Sequence, residues 1–175
     1  MKRVYYCKLN TIIGNLWVAS TDQGLCKIAL GNEDKIEFFH WLKKHFTEIK
    51  EDDRKNRHIT HQLMKYFGGE LRTFQIDCHL IGTDFQKRIW ETLIKIPYGE
   101  IRSYKDIAVE AGIPKGYRAV GMANNRNNIP IIIPCHRVVG HDGGLVGYGG
   151  GLDIKIRLLE LEGRSIYRGK VAIES

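Results

Sequence analysis

Apolar and polar residues alternate along the first thirty residues, which is the pattern of half-buried β-strands. Three such runs, at residues 3–9, 12–19 and 24–30, are separated by the turn-forming stretches Gly14-Asn15 and Asp22-Gln23-Gly24. Short turns of this kind join strands that are neighbours in a sheet. The pattern therefore predicts an antiparallel meander at the start of the chain.

A helical period follows the meander. Residues 33–47 and 57–67 carry apolar side chains three or four positions apart, which predicts two amphipathic helices joined by a charged loop at 51–55. The second helix is expected to end at Gly68-Gly69, and Phe74 to Leu80 has the composition of one more strand. We expect residues 1–80 to form a small α/β unit of sheet and helices that carries no catalytic residues.

The second half of the chain has the pattern of a mainly helical domain, for which we expect the bounds 81–175. Thr83-Asp84 is suited to cap a helix from Phe85 to Lys95. Ser103 with Asp106 forms a capping-box pattern that opens a helix ending near Gly112, and a proline suits the first turn of the next helix at 115–125. Two short helices joined by a tight glycine-containing turn predict a helix-turn-helix. The fold class is then α+β.

The second helix of this pair is unusual for a reader of the major groove. Early in the helix it lacks the usual set of Gln, Asn and Arg side chains that contact base edges there. Ala119 and Ala123, one turn apart, predict a small-residue face beside Arg118, and small residues permit a close approach to the narrow minor groove. The two alanines are equally typical of close packing against another helix.

The candidate chemistry lies in the segment from Ile131 to Gly140. Three isoleucines predict a short buried strand, and Pro134 cannot continue sheet pairing, so the chain should turn there. Cys135 would stand at the rim of that strand with His136 beside it. A thiol next to a possible base is a plausible nucleophile, and an inert buried thiol is the alternative.

A glycine-rich segment and then a helical pattern follow the cysteine. Residues 142–151 contain six glycines, but they lack the Lys-Ser/Thr pair of a Walker A loop. This favours a loop whose backbone comes close to a flat or bulky group. A last helix is expected at 152–161, followed by a basic and loose tail from Arg164.

Charge and cysteine usage narrow the class of protein. The chain of 175 residues has a formal net charge of +7, and residues 85–140 hold nine basic against four acidic side chains. A basic segment of this kind suits a polyanionic partner such as nucleic acid. The four cysteines are far apart and form no CxxC pair, which argues against a disulfide framework and a four-cysteine zinc site. His58 and His61 lie three residues apart without an evident third ligand, so we expect no metal there.

The motif Pro134-Cys135-His136-Arg137, after a helix-turn-helix and before a glycine-rich loop, resembles the O6-alkylguanine-DNA alkyltransferases, which are methylated-DNA–protein-cysteine methyltransferases. The resemblance covers about residues 83–163. The first half is similar to the ribonuclease H-like domain of that family in outline. The further matching segments are Phe85 to Trp90, Pro97 to Glu100, Ser103-Tyr104, Arg118 to Gly121, Asn127, Val138-Val139 and Glu162-Gly163.

The resemblance implies a role for five catalytic residues. Cys135 would accept the alkyl group. His136 would take its proton through a water molecule, and Glu162 would orient the histidine. Tyr104 would help to rotate the nucleotide and donate its hydroxyl toward guanine N3. Asn127 would tie the recognition helix to the active-site segment.

The resemblance also implies a DNA-binding surface and a guanine pocket. Arg118 would fill the place that the flipped nucleotide leaves in the stack. The DNA-binding residues are then Ser103, Lys115, Arg118, Ala119, Gly121, Met122, Ala123 and Arg126. The pocket residues are Met122, Pro130, Val138, Tyr148 and Gly149. Gly149 stands where the family usually has serine, which implies a looser pocket wall that accepts larger alkyl groups.

The activity implied is single-turnover repair of O6-alkylguanine, and of O4-alkylthymine, in double-stranded DNA. No cofactor and no metal would be needed, and the protein would be a monomer. Because the sequence contains no signal peptide and no long apolar run, a cytoplasmic location is expected, nucleoid-associated in a prokaryote or nuclear in a eukaryote. A helix-turn-helix sensor or regulator without enzymatic activity is the alternative, and it leaves the Cys-His-Glu set unexplained. A zinc deaminase would need a second cysteine where Val138 stands.

Overall fold

The computed structural model describes residues 2–31 and 35–173 of the chain. The chain divides into two compact units, Met1–Ile81 and Gly82–Ser175. The first unit contains a four-stranded sheet and two helices, and the second is mostly helical. The predicted α+β fold class is confirmed.

The predicted meander is confirmed as the core of the first sheet, whose strand order is β3-β2-β1-β4. Its antiparallel members are β1 (Arg3–Thr11), β2 (Gly14–Thr21) and β3 (Gly24–Ala29). A fourth strand, β4 (Glu48–Glu51), runs parallel to β1. The sequence did not predict β4 because Ile49 is its only apolar residue.

The two helices of this unit are α1 (Lys35–His45) and α2 (Asp53–Phe67). The first residues of the predicted helix 33–47 lie outside the described residues. The predicted charged loop at 51–55 is wrong, because the Asp52 carboxylate accepts hydrogen bonds from the backbone of the next turn and caps α2 at Asp53. Acidic residues at a helix N-terminus thus start α2 four residues earlier than its apolar pattern indicated.

The strand predicted from Phe74 to Leu80 is also wrong. The segment meets the edge of β3 only at Leu25, whose backbone exchanges hydrogen bonds of 2.8 Å with Asp77 and His79. It continues as irregular structure on either side of that single bridge. A composition suited to a strand was therefore overridden by the lack of a partner strand along its length.

The second unit contains four helices joined by short strand segments. They are α3 (Asp84–Ile94), α4 (Tyr104–Glu110), α5 (Tyr117–Asn125) and α6 (Leu152–Leu161). The capping boxes at Thr83 and Ser103 are both formed, and Gly112 has φ 76°, as a C-terminal cap requires. The strands form a parallel pair, β5 (Arg102–Ser103) with β6 (Val138–Val139), and a hairpin, β7 (Ile166–Tyr167) with β8 (Lys170–Val171).

Two boundaries in this unit differ from the prediction. The second helix of the helix-turn-helix begins at Tyr117, so Pro114 and Lys115 form a turn before it rather than its first turn. The tail from Arg164, predicted to be loose, contains the β7–β8 hairpin. Its two-residue strands are too short to produce a recognisable alternation in the sequence.

The isoleucine segment is not a strand. Ile131 has φ 78°, and the backbone amide of Ile133 donates to the carbonyl of Ile129 at 2.9 Å, so the chain makes a tight turn there. Ile131 and Ile133 are nevertheless buried. Burial of apolar side chains was predicted correctly, but the prediction that this burial occurs in a strand was wrong.

A buried polar group connects α2 to the sheet. The Asn56 side chain is fully buried, accepts a hydrogen bond of 2.8 Å from the Ser20 hydroxyl and donates to the Tyr5 carbonyl at 3.3 Å. A hydrophobic cluster that includes Phe38 and Leu42 of α1 forms a further part of the core. Buried polar groups are costly when they lose their partners, so Asn56 fixes the position of α2.

We expect Asn56→Ala to lower the free energy of unfolding by about 2 kcal/mol, because it leaves the buried Ser20 hydroxyl without its acceptor and removes the bond to the Tyr5 carbonyl. Urea denaturation followed by circular dichroism measures this change. Arg57→Ala, at the exposed neighbouring position, is the control and should change stability by less than about 0.5 kcal/mol. Coincident unfolding curves for Asn56→Ala and the unmodified protein would contradict the assigned role.

Candidate active site and DNA-binding surface

Cys135 begins a single turn of 3-10 helix, Cys135–Arg137, directly before β6. Its amide donates to the Ile133 carbonyl at 2.8 Å, and the amide of Arg137 donates to the Pro134 carbonyl at 3.0 Å. The side chain of Cys135 is only 3% exposed. The nucleophile candidate is therefore held in a rigid turn beneath the surface, although not at the end of a strand as predicted.

The environment of the Cys135 thiol contains opposing influences. Burial raises its pKa, while a hydrogen bond of 3.1 Å from the Asn127 side-chain amide and the positive charge of Lys155 lower it. Burial raises the pKa of Cys7 and Cys26 to about 12 and that of Cys78 to about 11. The amide donor to the sulfur and the positive charge of Lys155 both favour the thiolate form of Cys135.

His136 and Glu162 form a buried pair. Their side chains are fully enclosed, and His136 Nε2 lies 2.8 Å from Glu162 Oε1. Burial opposes ionisation of Glu162, but its contacts with His136 and Arg137 outweigh this and hold its pKa well below the usual range. Glu162 is thus an ionised acceptor, and we assign the proton of His136 to Nε2.

This assignment leaves His136 Nδ1 with a free lone pair. Among the described residues, Nδ1 is buried and makes no hydrogen bond. Burial also lowers the pKa of His136, so the imidazole is neutral at pH 7. The histidine is therefore prepared to accept a proton on Nδ1, and protonation at low pH would remove this capacity.

Arg137 completes the cluster, and its role was not predicted. Its guanidinium makes two hydrogen bonds to the Glu162 carboxylate, at 2.9 and 2.8 Å, and one of 2.6 Å to the Ile96 carbonyl. A buried arginine must be paired, and this one pairs with both carboxylate oxygens. Its place next to His136 in the motif was the only available signal in the sequence.

Lys155 is the second functional candidate that sequence reasoning missed. It is fully buried on α6, and its ammonium donates to the Val138 carbonyl at 2.6 Å and to the Val146 carbonyl at 3.4 Å. Burial lowers its pKa to about 8, and Cys135 is the group that raises it. At pH 7 the lysine remains mostly charged and favours the thiolate form of Cys135.

Tyr104 and Asn127 lie near Cys135, as the resemblance implied. The Tyr104 hydroxyl donates to the Val146 carbonyl at 3.2 Å. Its burial, and second the nearby Cys135, raise the pKa of Tyr104 to about 12. Tyr104 is thus a neutral hydrogen-bond donor at physiological pH. Asn127 donates to the Ile133 carbonyl at 2.8 Å as well as to the cysteine sulfur, which fixes the turn that precedes Cys135.

The expected pocket residues occupy different environments. Val138 is fully buried, Tyr148 is half-buried with its ring 6.0 Å from the Lys155 ammonium, and Met122 is 69% exposed on α5. Pro130 is buried in the isoleucine turn. A Cβ atom placed on Gly149 would have its nearest neighbour at 3.5 Å, so the backbone would tolerate a serine there. Glycine at this position is not required by packing, and the looser pocket wall stays a prediction.

The exposed face of α5 is the candidate DNA-binding surface. Arg118, Ala119 and Met122 are exposed on it. Ala123, in contrast, is only 2% exposed, and its carbonyl accepts a hydrogen bond of 2.9 Å from the Trp90 indole. The predicted small-residue face of Ala119 with Ala123 is therefore wrong, because the helix turns Ala123 toward α3.

The remaining expected DNA contacts lie near this face. Lys115 and Arg126 are exposed at the two ends of α5, Ser103 caps α4, and Gly121 is half-buried beside the Tyr104 ring. Within residues 2–31 and 35–173, no three His, Cys, Asp or Glu side chains come together as a metal site. His58 contacts the Gln75 carbonyl at 2.8 Å. No described helix is long and apolar enough to cross a bilayer.

We expect Lys155→Met to shift the pH dependence of Cys135 alkylation by iodoacetamide upward by about one pH unit, because it removes a positive charge that favours the thiolate. Mass spectrometry of the peptide that contains Cys135 measures the rate at each pH. Lys95→Met, at an exposed position, is the matched control and should leave the profile unchanged. An unshifted profile in Lys155→Met would show that the lysine acts only on the backbone carbonyls.

Two family models match the chain. The DNA-binding domain of 6-O-methylguanine DNA methyltransferase matches residues 84–164, and the ribonuclease-like domain of the same enzyme matches residues 4–80. The methylated-DNA–protein-cysteine methyltransferase of Methanosarcina barkeri is 47% identical over 163 residues, which cover 91% of this chain and 97% of that protein. The constitutive methylated-DNA–protein-cysteine methyltransferase of Bacillus subtilis is 41% identical over 167 residues, covering 95% and 99%.

The same similarity is found among solved structures. The crystal structure of Mycobacterium tuberculosis OGT in complex with DNA superposes with a TM-score of 0.80 at 41% identity, and the match covers 91% of this chain and 92% of that one. An O6-methylguanine-DNA methyltransferase from Pyrococcus kodakaraensis matches with a TM-score of 0.64 at 26% identity, covering 91% and 99%. The chain belongs to the 6-O-methylguanine DNA methyltransferase family of enzymes.

Proposed function

We propose that this protein repairs O6-alkylguanine in double-stranded DNA by transferring the alkyl group irreversibly to Cys135. The observation that carries the proposal is the buried Cys135 thiol, which accepts a hydrogen bond from Asn127. It lies in the same turn as His136, which is paired with Glu162. A nucleophile, a neutral base and a carboxylate that orients the base are the parts that such a transfer requires.

The transfer exchanges one bond for another. The Cys135 sulfur attacks the alkyl carbon, a carbon–sulfur bond forms, and the bond between that carbon and guanine O6 breaks. The thiol proton passes through a water molecule to Nδ1 of His136. Tyr104 donates a hydrogen bond toward N3 of the departing guanine. To do so, its hydroxyl gives up its hydrogen bond to the Val146 carbonyl. The thioether product is stable, so each protein molecule acts once and needs no cofactor.

The target base must leave the duplex before the sulfur can reach it. Extrusion of a nucleotide costs a few kcal/mol, which contacts to the opened duplex must offset. We propose that α5 lies in the minor groove and that Arg118 fills the vacated space, since Arg118 is exposed on the outer face of the helix. The Mycobacterium tuberculosis relative has been crystallised with DNA.

The pocket assignment is part of the same proposal. Val138, Tyr148 and Gly149 would surround the extruded base, with Pro130 and Met122 at its margin. O4-alkylthymine carries its alkyl group on a comparable exocyclic oxygen, so the same attack by Cys135 would repair it. The units at 1–80 and 81–175 would then act as a structural domain and an alkyl-acceptor domain.

We expect the intact mass of the protein to rise by one methylene group after incubation with a duplex that contains one O6-methylguanine, because a methyl group replaces the thiol proton. Peptide mapping should place the addition on Cys135, and Cys135→Ser should show none. Tight binding to the damaged duplex without any gain in mass would instead favour the alternative, a sensor or regulator without transferase activity.

We expect Arg118→Ala to slow alkyl transfer from duplex DNA on the order of tenfold to a hundredfold, because it removes the group that offsets nucleotide extrusion. The reaction with free O6-benzylguanine, which needs no extrusion, should keep its rate. Arg88→Ala, on the exposed side of α3, is the control and should affect neither reaction. An equal loss with both substrates would argue against the proposed role of Arg118.

A further inference from the structure

The glycine-rich loop needs an external restraint if it is to form a pocket wall. Residues 142–151 contain six glycines, and glycine loses more conformational freedom on ordering than any other residue. The loop nevertheless carries the Val146 carbonyl, which accepts from Tyr104 and Lys155, and it also carries Tyr148 and Gly149. A loop of this composition does not order these groups by itself.

Tyr104 and Lys155 restrain the loop at Val146, and a second restraint, at residues 143–145, is supplied by the hairpin β7–β8, which follows the segment that the family model matches. The Leu145 amide donates to the Gly169 carbonyl at 3.0 Å, and the Val171 amide donates to the Gly143 carbonyl at 3.0 Å. A further bridge joins Gly144 to Lys170. Residues 143–145 of the loop therefore pair with the edge of the hairpin and form a third strand-like segment beside it.

Side chains reinforce this pairing. Val171 is 3% exposed and packs with Val139, Leu145 and Leu159 in one hydrophobic cluster. On the outer side, the Lys170 ammonium lies 2.8 Å from the Asp142 carboxylate. This exposed ion pair is worth at most about 1 kcal/mol, so the buried cluster and the backbone bonds supply most of the restraint.

The fit between loop and hairpin is close enough to depend on one glycine. Gly143 has φ 79°, and a Cβ atom on it would come within 2.3 Å of the Val171 carbonyl oxygen. Gly69, which follows α2 in the first unit, has φ 76° and no atom within 4 Å of the same position. Both glycines have a positive φ, but only Gly143 also lies so close to the hairpin that a side chain would not fit.

We propose that the C-terminal hairpin, residues 166–171, is a positioning element for the active site, which orders the glycine-rich loop and thereby sets affinity for the alkylated base. This proposal rests on the proposed function. The hairpin acts through the loop, which carries the Tyr148 ring and the Val146 carbonyl, and Tyr148 also lowers the pKa of the Cys135 thiol. Loosening the hairpin should therefore weaken base binding, while Asn127 and the 3-10 turn still hold the thiol in place.

The test compares Gly143→Ala with Gly69→Ala in the full chain. Both substitutions strain a positive φ, but only Gly143→Ala pushes the hairpin from the loop. We expect Gly143→Ala to raise the half-saturating concentration of O6-benzylguanine on the order of tenfold, with Gly69→Ala within about twofold of the unmodified protein. Far-ultraviolet circular dichroism spectra should be the same in all three proteins, which separates the loss of affinity from unfolding. Equal half-saturation in the two variants would overturn the proposal.

A second variant covers the case in which Gly143→Ala does not fold. Val171→Ala removes the buried anchor of the hairpin and leaves the loop sequence intact, and it should raise half-saturation in the same direction. Amide hydrogen exchange of Leu145 should also accelerate, and unchanged exchange would overturn the proposal. Hydrogen exchange needs no substrate, so it tests the hairpin even if the unmodified protein does not react with O6-benzylguanine. A failure of that reaction would count against the proposed function alone.

Discussion

The buried charge of Glu162 is the interaction on which the active site depends. A carboxylate removed from water is stable only when it is paired and hydrogen-bonded, and here both oxygens are engaged by His136 and Arg137. Arg137 in turn reaches the Ile96 carbonyl after α3, and the Gly99 amide donates to Glu162 at 3.3 Å. The end of α6, the segment after α3 and the cysteine turn are thereby held together by one charge. Loss of Arg137 would leave the Glu162 carboxylate without a compensating positive charge in the interior.

The same burial explains how a thiol is kept ready without being indiscriminately reactive. Enclosure raises the pKa of Cys135, so the resting side chain is mostly a thiol and reacts slowly with passing electrophiles. Asn127 and Lys155 reduce this cost for the thiolate, and His136 Nδ1 is available to take the proton. Such an arrangement suits a protein that can react only once, because reaction with the wrong electrophile would waste the molecule.

The sequence predicted local features well and long-range features poorly, for physical reasons. The capping boxes at Thr83 and Ser103 are encoded within four residues, and both formed as expected. Lys155 could not be found, because a lysine on an amphipathic helix usually lies in water and only the folded loop and β6 enclose it. The turn at Ile131 could not be predicted either, because a positive φ is a conformation that β-branched residues rarely adopt. The tertiary structure, rather than local preference, determines it.

The position of Ala123 changes how α5 would meet DNA. Ala123 cannot contribute to the outer face because the Trp90 indole fixes its turn against α3. The outer face therefore presents Arg118, Ala119 and Met122, with Ala119 as its one small side chain beside the arginine. In the proposed minor-groove binding, the helix needs space where it comes closest to the DNA, and Ala119 supplies a small exposed side chain there. In that proposal, added volume at Ala119 would hold Arg118 away from the base stack, whereas added volume at Ala123 would disturb the packing of α5 on α3.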